Sequence, residues 1–195
     1  MNRIYRQAKR AEAQEQTRER IVRATMALHL EKGVATTSYS DVAERAGVGA
    51  ATVYRHFPAM GDLVDACGAH IRQAIEPPRA EYAPDVFAGI EGRSARIARL
   101  VQELDAFYAR AAAPLWSALR DQDRVPELAV FVEEVRAGVV ALAAAALQQP
   151  VNSRPVIIAT AVASFVGWQV LSETGIGKDE RLRIMGAMIE AALRA

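Results

Sequence analysis

Apolar residues recur at helical spacing along almost the whole chain, and no alternating run bounded by turns predicts a strand. The pattern therefore predicts an all-α protein. The first predicted helix runs from about 17 to 32, with Ile21, Ala24 and Leu28 along one face. Residues 8–16 also favour helix, so this helix can extend towards the amino terminus.

Two short helices separated by a glycine turn follow. Ser38 and Asp41 have the spacing of a capping box, which predicts a helix from about 38 to 46 that ends at Gly47. Another helix is predicted from 49 or 50 to 56, because the proline that follows disfavours helical geometry in the residue before it. Packed on a longer first helix, such a pair makes a three-helix helix-turn-helix domain.

The rest of the chain is predicted to form longer helices. A helix at about 60–76 ends at two prolines, which we take as the boundary between an amino-terminal domain, 1–76, and a carboxy-terminal domain, 77–195. Prolines and glycines divide the second domain into predicted helices at about 92–112, 114–121, 126–148, 155–173 and 179–194. We expect these helices to form a bundle.

Charge is distributed unevenly, although the formal net charge is only +1. Residues 1–24 carry seven Lys or Arg side chains against three Glu, whereas the chain from residue 76 onward carries 13 basic against 15 acidic side chains. The basic residues nearest the amino terminus are Arg3, Arg6, Lys9 and Arg10. Basic arms of this kind contact phosphates or the minor groove in other motifs that bind DNA, which makes this segment a candidate for contact with a polyanion.

The sequence offers little for catalysis or metal binding. One cysteine, Cys67, makes neither an intramolecular disulfide nor a cysteine-based zinc site, and its apolar surroundings indicate a small buried side chain. We find no glycine-rich phosphate loop and no nucleophile–base pattern, so we predict no catalytic residue, cofactor or metal. Neither a signal-peptide pattern nor an apolar run of membrane-spanning length is present, which predicts a cytoplasmic protein without a membrane partner.

The segment "AERAGVGAATVYRHF" joins the glycine turn to the second short helix. On that helix, Val53 and Phe57 are four residues apart and should point into a core. Tyr54, Arg55 and His56 should then project outward. An exposed row of hydroxyl, guanidinium and imidazole groups is what a DNA-reading helix needs.

The longer stretch "TTSYSDVAERAGVGAATVYRHFPAMGDLV", 36–64, resembles the DNA-binding region of the tetracycline-repressor (TetR) family of bacterial regulators. The similarity lies in the Ala46-Gly47-Val48 turn, in the helix end that leads to Phe57 and in Leu63. It implies a dimer whose second short helix lies in the major groove. Together with side-chain chemistry it gives these candidate DNA-binding residues: Thr37, Ala50, Ala51, Thr52, Tyr54, Arg55 and His56.

Within that set, Tyr54 and His56 match positions that contact phosphates in the family. Base readout by hydrogen bonds falls mainly on Thr52 and Arg55, because the alanines before them offer only methyl groups. Relatives often carry Ser-Lys where this chain has Gly49-Ala50, and usually a lysine where it has a methionine at position 60. We expect the basic amino-terminal arm to compensate for these missing cations.

Aromatic residues of the carboxy-terminal half either line a pocket for a small apolar or amphipathic effector or simply form the core. The candidate effector-binding residues are Gln102, Tyr108, Trp116 and Trp168. Ala159, Ala163 and Gly167 recur every four residues and would let another helix approach closely. This stripe is consistent with the family's dimer-forming four-helix bundle, although burial inside one subunit is the alternative.

The sequence thus predicts a DNA-binding transcriptional regulator and not an enzyme. The favoured form is a homodimeric repressor that binds a pseudo-palindromic, double-stranded operator and is released by a small-molecule effector. The alternative is an effector-independent architectural or protein-recruiting DNA-binding protein whose carboxy-terminal core is filled.

Overall fold

The computed structural model describes the backbone of residues 2–194 and the side chains of residues 5–194. Every regular element within these ranges is helical, which confirms the predicted all-α fold. A 3₁₀ turn at Ala80–Tyr82 lies between α4 and α5. The α-helices are α1 Asn2–Lys32, α2 Tyr39–Ala46, α3 Ala50–His56, α4 Met60–Ile75, α5 Ala83–Val86, α6 Arg93–Asp121, α7 Pro126–Leu147, α8 Arg154–Val162, α9 Phe165–Glu173 and α10 Lys178–Ala192.

The chain divides into two compact units. Unit 1 contains the chain up to Gln73 together with Ala113–Phe131, and unit 2 contains Ala74–Ala112 and the chain from Val132 onward. The predicted domain boundary put 113–131 in the second domain. The structure places this segment in unit 1 because the end of α6 packs against the turn between α1 and α2.

Unit 1 is held together by a continuous apolar core from its first four helices. Its buried members are Ile21, Val22, Ala24 and Leu28 of α1, Val42, Ala43 and Ala46 of α2, Val53 and Phe57 of α3 and its end, and Leu63 and Cys67 of α4. Burial raises the pKa of the Cys67 thiol to about 12, so Cys67 acts as a small apolar side chain, as predicted. The core fixes the two short helices on α1.

The first helix is longer than the range first predicted, and it includes the possible backward extension. Every side chain from 5 to 16 is exposed, whereas burial begins in the following turns. The extension therefore depends on the helix-favouring alanine, glutamine, lysine and arginine side chains rather than on packing. The predicted basic arm is thus helical, and the side chain of Arg3 lies outside the described residues.

Two predicted boundaries in the carboxy-terminal half are wrong. Pro114 does not divide α6, which continues through it because apolar residues on one face, including Ala111, Leu115 and Ala118, stay buried on both sides. Conversely, the predicted helix 155–173 breaks into α8 and α9.

The break between α8 and α9 has a local cause. Ser164 takes an extended conformation as the N-cap of α9, and its hydroxyl accepts a hydrogen bond from the Gly167 amide at 3.3 Å. The Tyr108 hydroxyl donates to the Ala163 carbonyl oxygen at 3.0 Å. By length and apolar composition alone Arg154–Glu173 qualifies as a membrane-spanning helix, but this capped break divides it into two shorter helices.

Candidate nucleic-acid interface

The start of α2 is fixed by the predicted capping box. The Ser38 hydroxyl accepts a hydrogen bond from the Asp41 amide at 3.3 Å, and the Asp41 carboxylate accepts one from the Ser38 amide at 2.8 Å. The Lys32 ammonium lies 2.5 Å from the same carboxylate. Hydrogen bonds from Lys32 and then Ser38 hold the pKa of Asp41 well below its ordinary value. The end of α1 is thereby joined to the start of α2.

Gly47 makes the turn between the two short helices. Its φ of 63° lies in the left-handed region, and a Cβ there would meet nothing within 4 Å. Glycine is therefore favoured by backbone conformation rather than by lack of space. The Val48 amide donates to the Ala43 carbonyl at 3.0 Å, which closes the turn before α3 begins.

Helix α3 presents its polar face outward, as predicted. Val53 and Phe57 are almost completely buried in the unit 1 core. Tyr54 exposes 52% of its surface, and Arg55 is also exposed. His56 is half-buried. Ala50 and Ala51 at the start of the helix are exposed, and Thr52 is half-buried.

Tyr39 supports the exposed face in a way that the sequence analysis missed. Its ring stacks on that of Tyr54, with centroids 4.1 Å apart and planes inclined by 19°. Its hydroxyl donates to the Phe57 carbonyl oxygen at 3.0 Å. Tyr39 and Tyr54 are 15 positions apart and lie on different helices, so no local sequence signal pairs them. Tyr39 therefore joins α2 to both the middle and the end of α3.

The surroundings of His56 favour its neutral form. Burial first, and then the positive charges of Arg55 and Arg18, lower the pKa of His56 from its ordinary value. At neutral pH the imidazole thus offers one N–H donor rather than a full positive charge. Arg18 of α1 also lies over the Phe57 ring, 5.0 Å from its centroid.

The position of the Thr37 side chain differs from the exposed position expected of a hydroxyl that contacts DNA. Its side chain is buried, and its hydroxyl donates to the Gly33 carbonyl oxygen at 2.7 Å. This hydrogen bond shapes the turn after α1. Ser40, in the first turn of α2, is exposed and is a better placed hydroxyl that the sequence pattern did not single out.

Arg45 of α2 forms a two-point ion pair with Glu31 of α1, at 2.8 and 2.6 Å.

The turn that precedes α2 is bonded to the distant end of α6. Asp121 Oδ2 accepts hydrogen bonds from the amides of Val34 at 2.7 Å and Ala35 at 3.2 Å. Gly33 has a φ of +98°, and a Cβ there would overlap the Arg120 guanidinium. Sequence reasoning missed Asp121 because 87 positions separate it from Val34.

Only two of the four predicted effector-binding residues lie close together in the structure. Tyr108 and Trp168 are buried in unit 2, with ring centroids 5.8 Å apart, and Phe165 packs against both. Gln102 is exposed. Trp116 exposes 50% of its surface and lies on the part of α6 that belongs to unit 1. The structure therefore does not group these two with the aromatic pair.

A buried ion pair that the sequence analysis did not identify borders the aromatic cluster. Asp105 Oδ1 accepts hydrogen bonds from Trp168 Nε1 at 2.8 Å and from Arg181 Nε at 2.7 Å. The Arg181 guanidinium also lies 5.6 Å from the Trp168 ring centroid. One carboxylate oxygen thus joins α6, α9 and α10, and its charge is compensated by the arginine.

The predicted stripe of small residues is not an exposed surface. Ala159 and Ala163 are completely buried within the subunit, and the helix that was to carry the stripe is broken after Ala163. The alternative, burial inside one chain, is therefore correct for these alanines. Large apolar side chains are exposed instead on the neighbouring faces: Ile157, Val166, Val170 and Met188.

In the part of the chain that the structure describes, no three His, Cys, Asp or Glu side chains lie close enough together to hold a metal ion. We therefore identify no candidate metal site there.

Comparison with known proteins supports the helix-turn-helix interpretation. Residues 21–67 match the family model of bacterial regulatory proteins, tetR family. No curated protein matches the chain. The matched residues include α2, α3 and most of the unit 1 core.

Solved structures share the fold over almost the whole chain. A TetR-family transcriptional regulator from Mesorhizobium loti MAFF303099 is 19% identical over 93% of this chain and 96% of its own, with a TM-score of 0.60. The flavonoid-responsive regulator FrrA is 22% identical over 92% and 94%, with a TM-score of 0.62. The multidrug binding protein EbrR, solved with imidazole, is 22% identical over 88% of both chains, with a TM-score of 0.57.

Proposed function

We propose that the chain acts as a dimeric, effector-released transcriptional repressor of the tetR family of bacterial regulatory proteins, whose family model matches residues 21–67. The observation that carries the proposal is the exposed polar face of α3, held on a buried core by Val53 and Phe57. We place its action in the cytoplasm, where its DNA is found.

In the proposed complex α3 lies in the major groove. Arg55 reads a base, because its guanidinium suits the two acceptors of guanine, and Thr52 supplies a hydroxyl. Tyr54 and His56 contact phosphates and position the helix without reading sequence. Ala50 and Ala51 offer methyl contact to thymine, whereas Thr37 supports the turn from inside.

Dimerisation is proposed through the apolar face of unit 2. Ile157 of α8, Val166 and Val170 of α9, and Met188 of α10 are each about half exposed or more. Helix α10 packs against both α8 and α9, so these side chains belong to one connected layer of helices. A twofold contact across this layer would present two copies of α3 to the half-sites of a pseudo-palindrome.

An effector is proposed from the chemistry of the aromatic cluster. Tyr108, Phe165 and Trp168 form an apolar, aromatic environment in unit 2. Two proteins of the same fold are described as flavonoid-responsive and as multidrug binding. We therefore propose a small apolar or amphipathic aromatic effector, which releases DNA by binding better to the conformer with lower operator affinity.

One observation favours the alternative, an effector-independent architectural or protein-recruiting DNA-binding protein. The polar atoms of the cluster are already bonded inside the subunit, the Tyr108 hydroxyl to the Ala163 carbonyl and the Trp168 indole to Asp105. A core satisfied in this way needs no ligand. An effector would have to replace or rearrange these bonds.

Selection of genomic DNA fragments, followed by release assays, tests the proposal. We expect the protein to enrich a pseudo-palindrome, and we expect flavonoids or other small aromatic amphipathic compounds to lower its operator affinity. If a palindrome is enriched but Tyr108→Ala and Trp168→Ala change neither ligand-dependent melting nor release, the alternative is favoured. Failure to enrich any sequence would refute the operator-binding repressor, and failure to bind duplex DNA at all would refute both functions.

A further inference from the structure

Residues 5–16, near the start of α1, form an exposed helical extension of about three turns. Lys9 and Arg10 lie three and four residues after Arg6, so these three side chains share one face. Glu12 borders this face, three residues after Lys9, and Glu15 lies on the side of the helix opposite Arg6. We call residues Arg6, Lys9 and Arg10 the basic face.

The basic face has no acidic partner in the described part of the chain, although the neighbouring acids have contacts of their own. Glu15 lies 4.0 Å from Arg18, and Glu12 accepts a weak hydrogen bond from Gln16 at 3.5 Å. The first turn of α1 holds no acidic residue. Arg6 is a surface neighbour of both Lys9 and Arg10, so these like charges repel one another. An external polyanion would relieve this repulsion.

The extension starts beside the DNA-reading helix. Arg18 of α1 lies over Phe57 at the end of α3, and its charge, together with that of Glu15, acts on His56. The helix rises about 1.5 Å per residue, so Arg6 lies about 18 Å further along the helix axis from Arg18. The basic face is thus rigidly connected to unit 1 but lies well away from α3.

We propose that the basic face binds phosphates of the operator DNA outside the major-groove contact of α3. The inference rests on the proposed DNA binding. The extension supplies phosphate contacts from a helix rather than from an extended arm in the minor groove, and it adds affinity without base readout.

The test compares two full-length triple variants that each lose three positive charges. Arg6→Gln/Lys9→Gln/Arg10→Gln neutralises the basic face while keeping good helix formers. Arg79→Gln/Arg93→Gln/Lys178→Gln removes three exposed charges of unit 2 as the matched control. Operator affinity is measured against salt concentration, and hydroxyl-radical footprints are recorded for each variant.

The wild-type protein should protect phosphates outside the α3 contact. The basic-face variant should lose that protection and flatten the slope of log affinity against log salt by about 2 or more, since each phosphate contact contributes about 0.9. Its preferred sequence should stay the same, and the control variant should keep the wild-type slope and footprint. Deletion of residues 1–10 should reproduce the basic-face result.

Three outcomes would overturn the inference. An unchanged slope and footprint in the basic-face variant would show that the extension does not contact DNA. Equal flattening in the control would show that only overall charge matters. A wild-type protein that selects no DNA would refute the proposed function and this inference together, whereas the first two outcomes leave DNA binding by α3 intact.

Discussion

Asp121 is the residue on which the turn before α2 most depends. Replacing it with alanine removes the acceptor for the Val34 amide at 2.7 Å and the Ala35 amide at 3.2 Å. The Val34 residue is buried, and the Ala35 residue is half-buried. A hydrogen bond to a charged group contributes about 1.5–3 kcal/mol, and a buried amide left unpaired costs about as much. We therefore expect Asp121→Ala to lower the free energy of unfolding by about 2–4 kcal/mol.

Chemical denaturation measures this loss, and two variants serve as controls. Asp121→Asn keeps an oxygen acceptor and should lose less stability than Asp121→Ala. Asp123→Ala removes an exposed acid two residues away and should change stability by at most about 0.5 kcal/mol. Because the turn leads into α2 and α3, operator affinity should fall only for the Asp121 variants. Equal stability of Asp121→Ala and Asp123→Ala would refute the reasoning.

The same carboxylate gives a pH dependence. The Arg120 guanidinium first, and the amides of Ala35 and Val34 after it, lower the pKa of Asp121 to about 2. Because the pKa of Asp121 is lower in the folded state than its unfolded value of about 3.9, the ionised carboxylate stabilises the fold above that pH. This stabilisation is lost as pH falls towards the folded-state pKa. The difference in stability between wild type and Asp121→Ala should therefore be constant from about pH 5 to 8 and shrink below about pH 4.

Three other variants test the remaining parts of the account. Arg55→Ala should relax preference at one base position by about 1–3 kcal/mol, whereas Tyr54→Phe should weaken binding evenly across sequences; an unchanged selection profile for Arg55→Ala would remove it from base readout. Val170→Glu should yield monomers in analytical ultracentrifugation, because the exposed valine would become a charge in the proposed interface, and an unchanged dimer would exclude that face. Gly138→Ala should lower stability by about 1–3 kcal/mol, since the added Cβ would overlap the Pro78 carbonyl oxygen; wild-type stability in denaturation would contradict this.

The helix-turn-helix could be predicted because its signals are local. The capping box at Ser38 and Asp41, the glycine at position 47 and the proline after α3 each act within a few residues. The spacing of Val53 and Phe57 then gives the buried face of α3, and with it the exposed one. Short-range geometry thus determines both the motif and the direction of its candidate DNA contacts.

Long-range contacts could not be predicted from the same patterns. The partners of Asp121 and of Asp105 are far away in sequence, and no spacing rule links them. The small-residue stripe fails for a related reason: helical periodicity shows which residues share a face but not whether the face is covered by the same chain. The hydrogen bond of Thr37 to Gly33 could not be predicted either, because a threonine hydroxyl suits a turn as well as it suits DNA.

Sequence-specific binding through α3 is tested most directly by in vitro selection with the wild-type protein and with Arg55→Ala in parallel. The account predicts that the wild type enriches two inverted half-sites separated by about one helical turn or a simple multiple of it. It further predicts that Arg55→Ala enriches the same half-sites with preference lost at one position. No enrichment by the wild type, or identical base preferences at every position for the two proteins, would contradict the assignment of α3 as the reading helix.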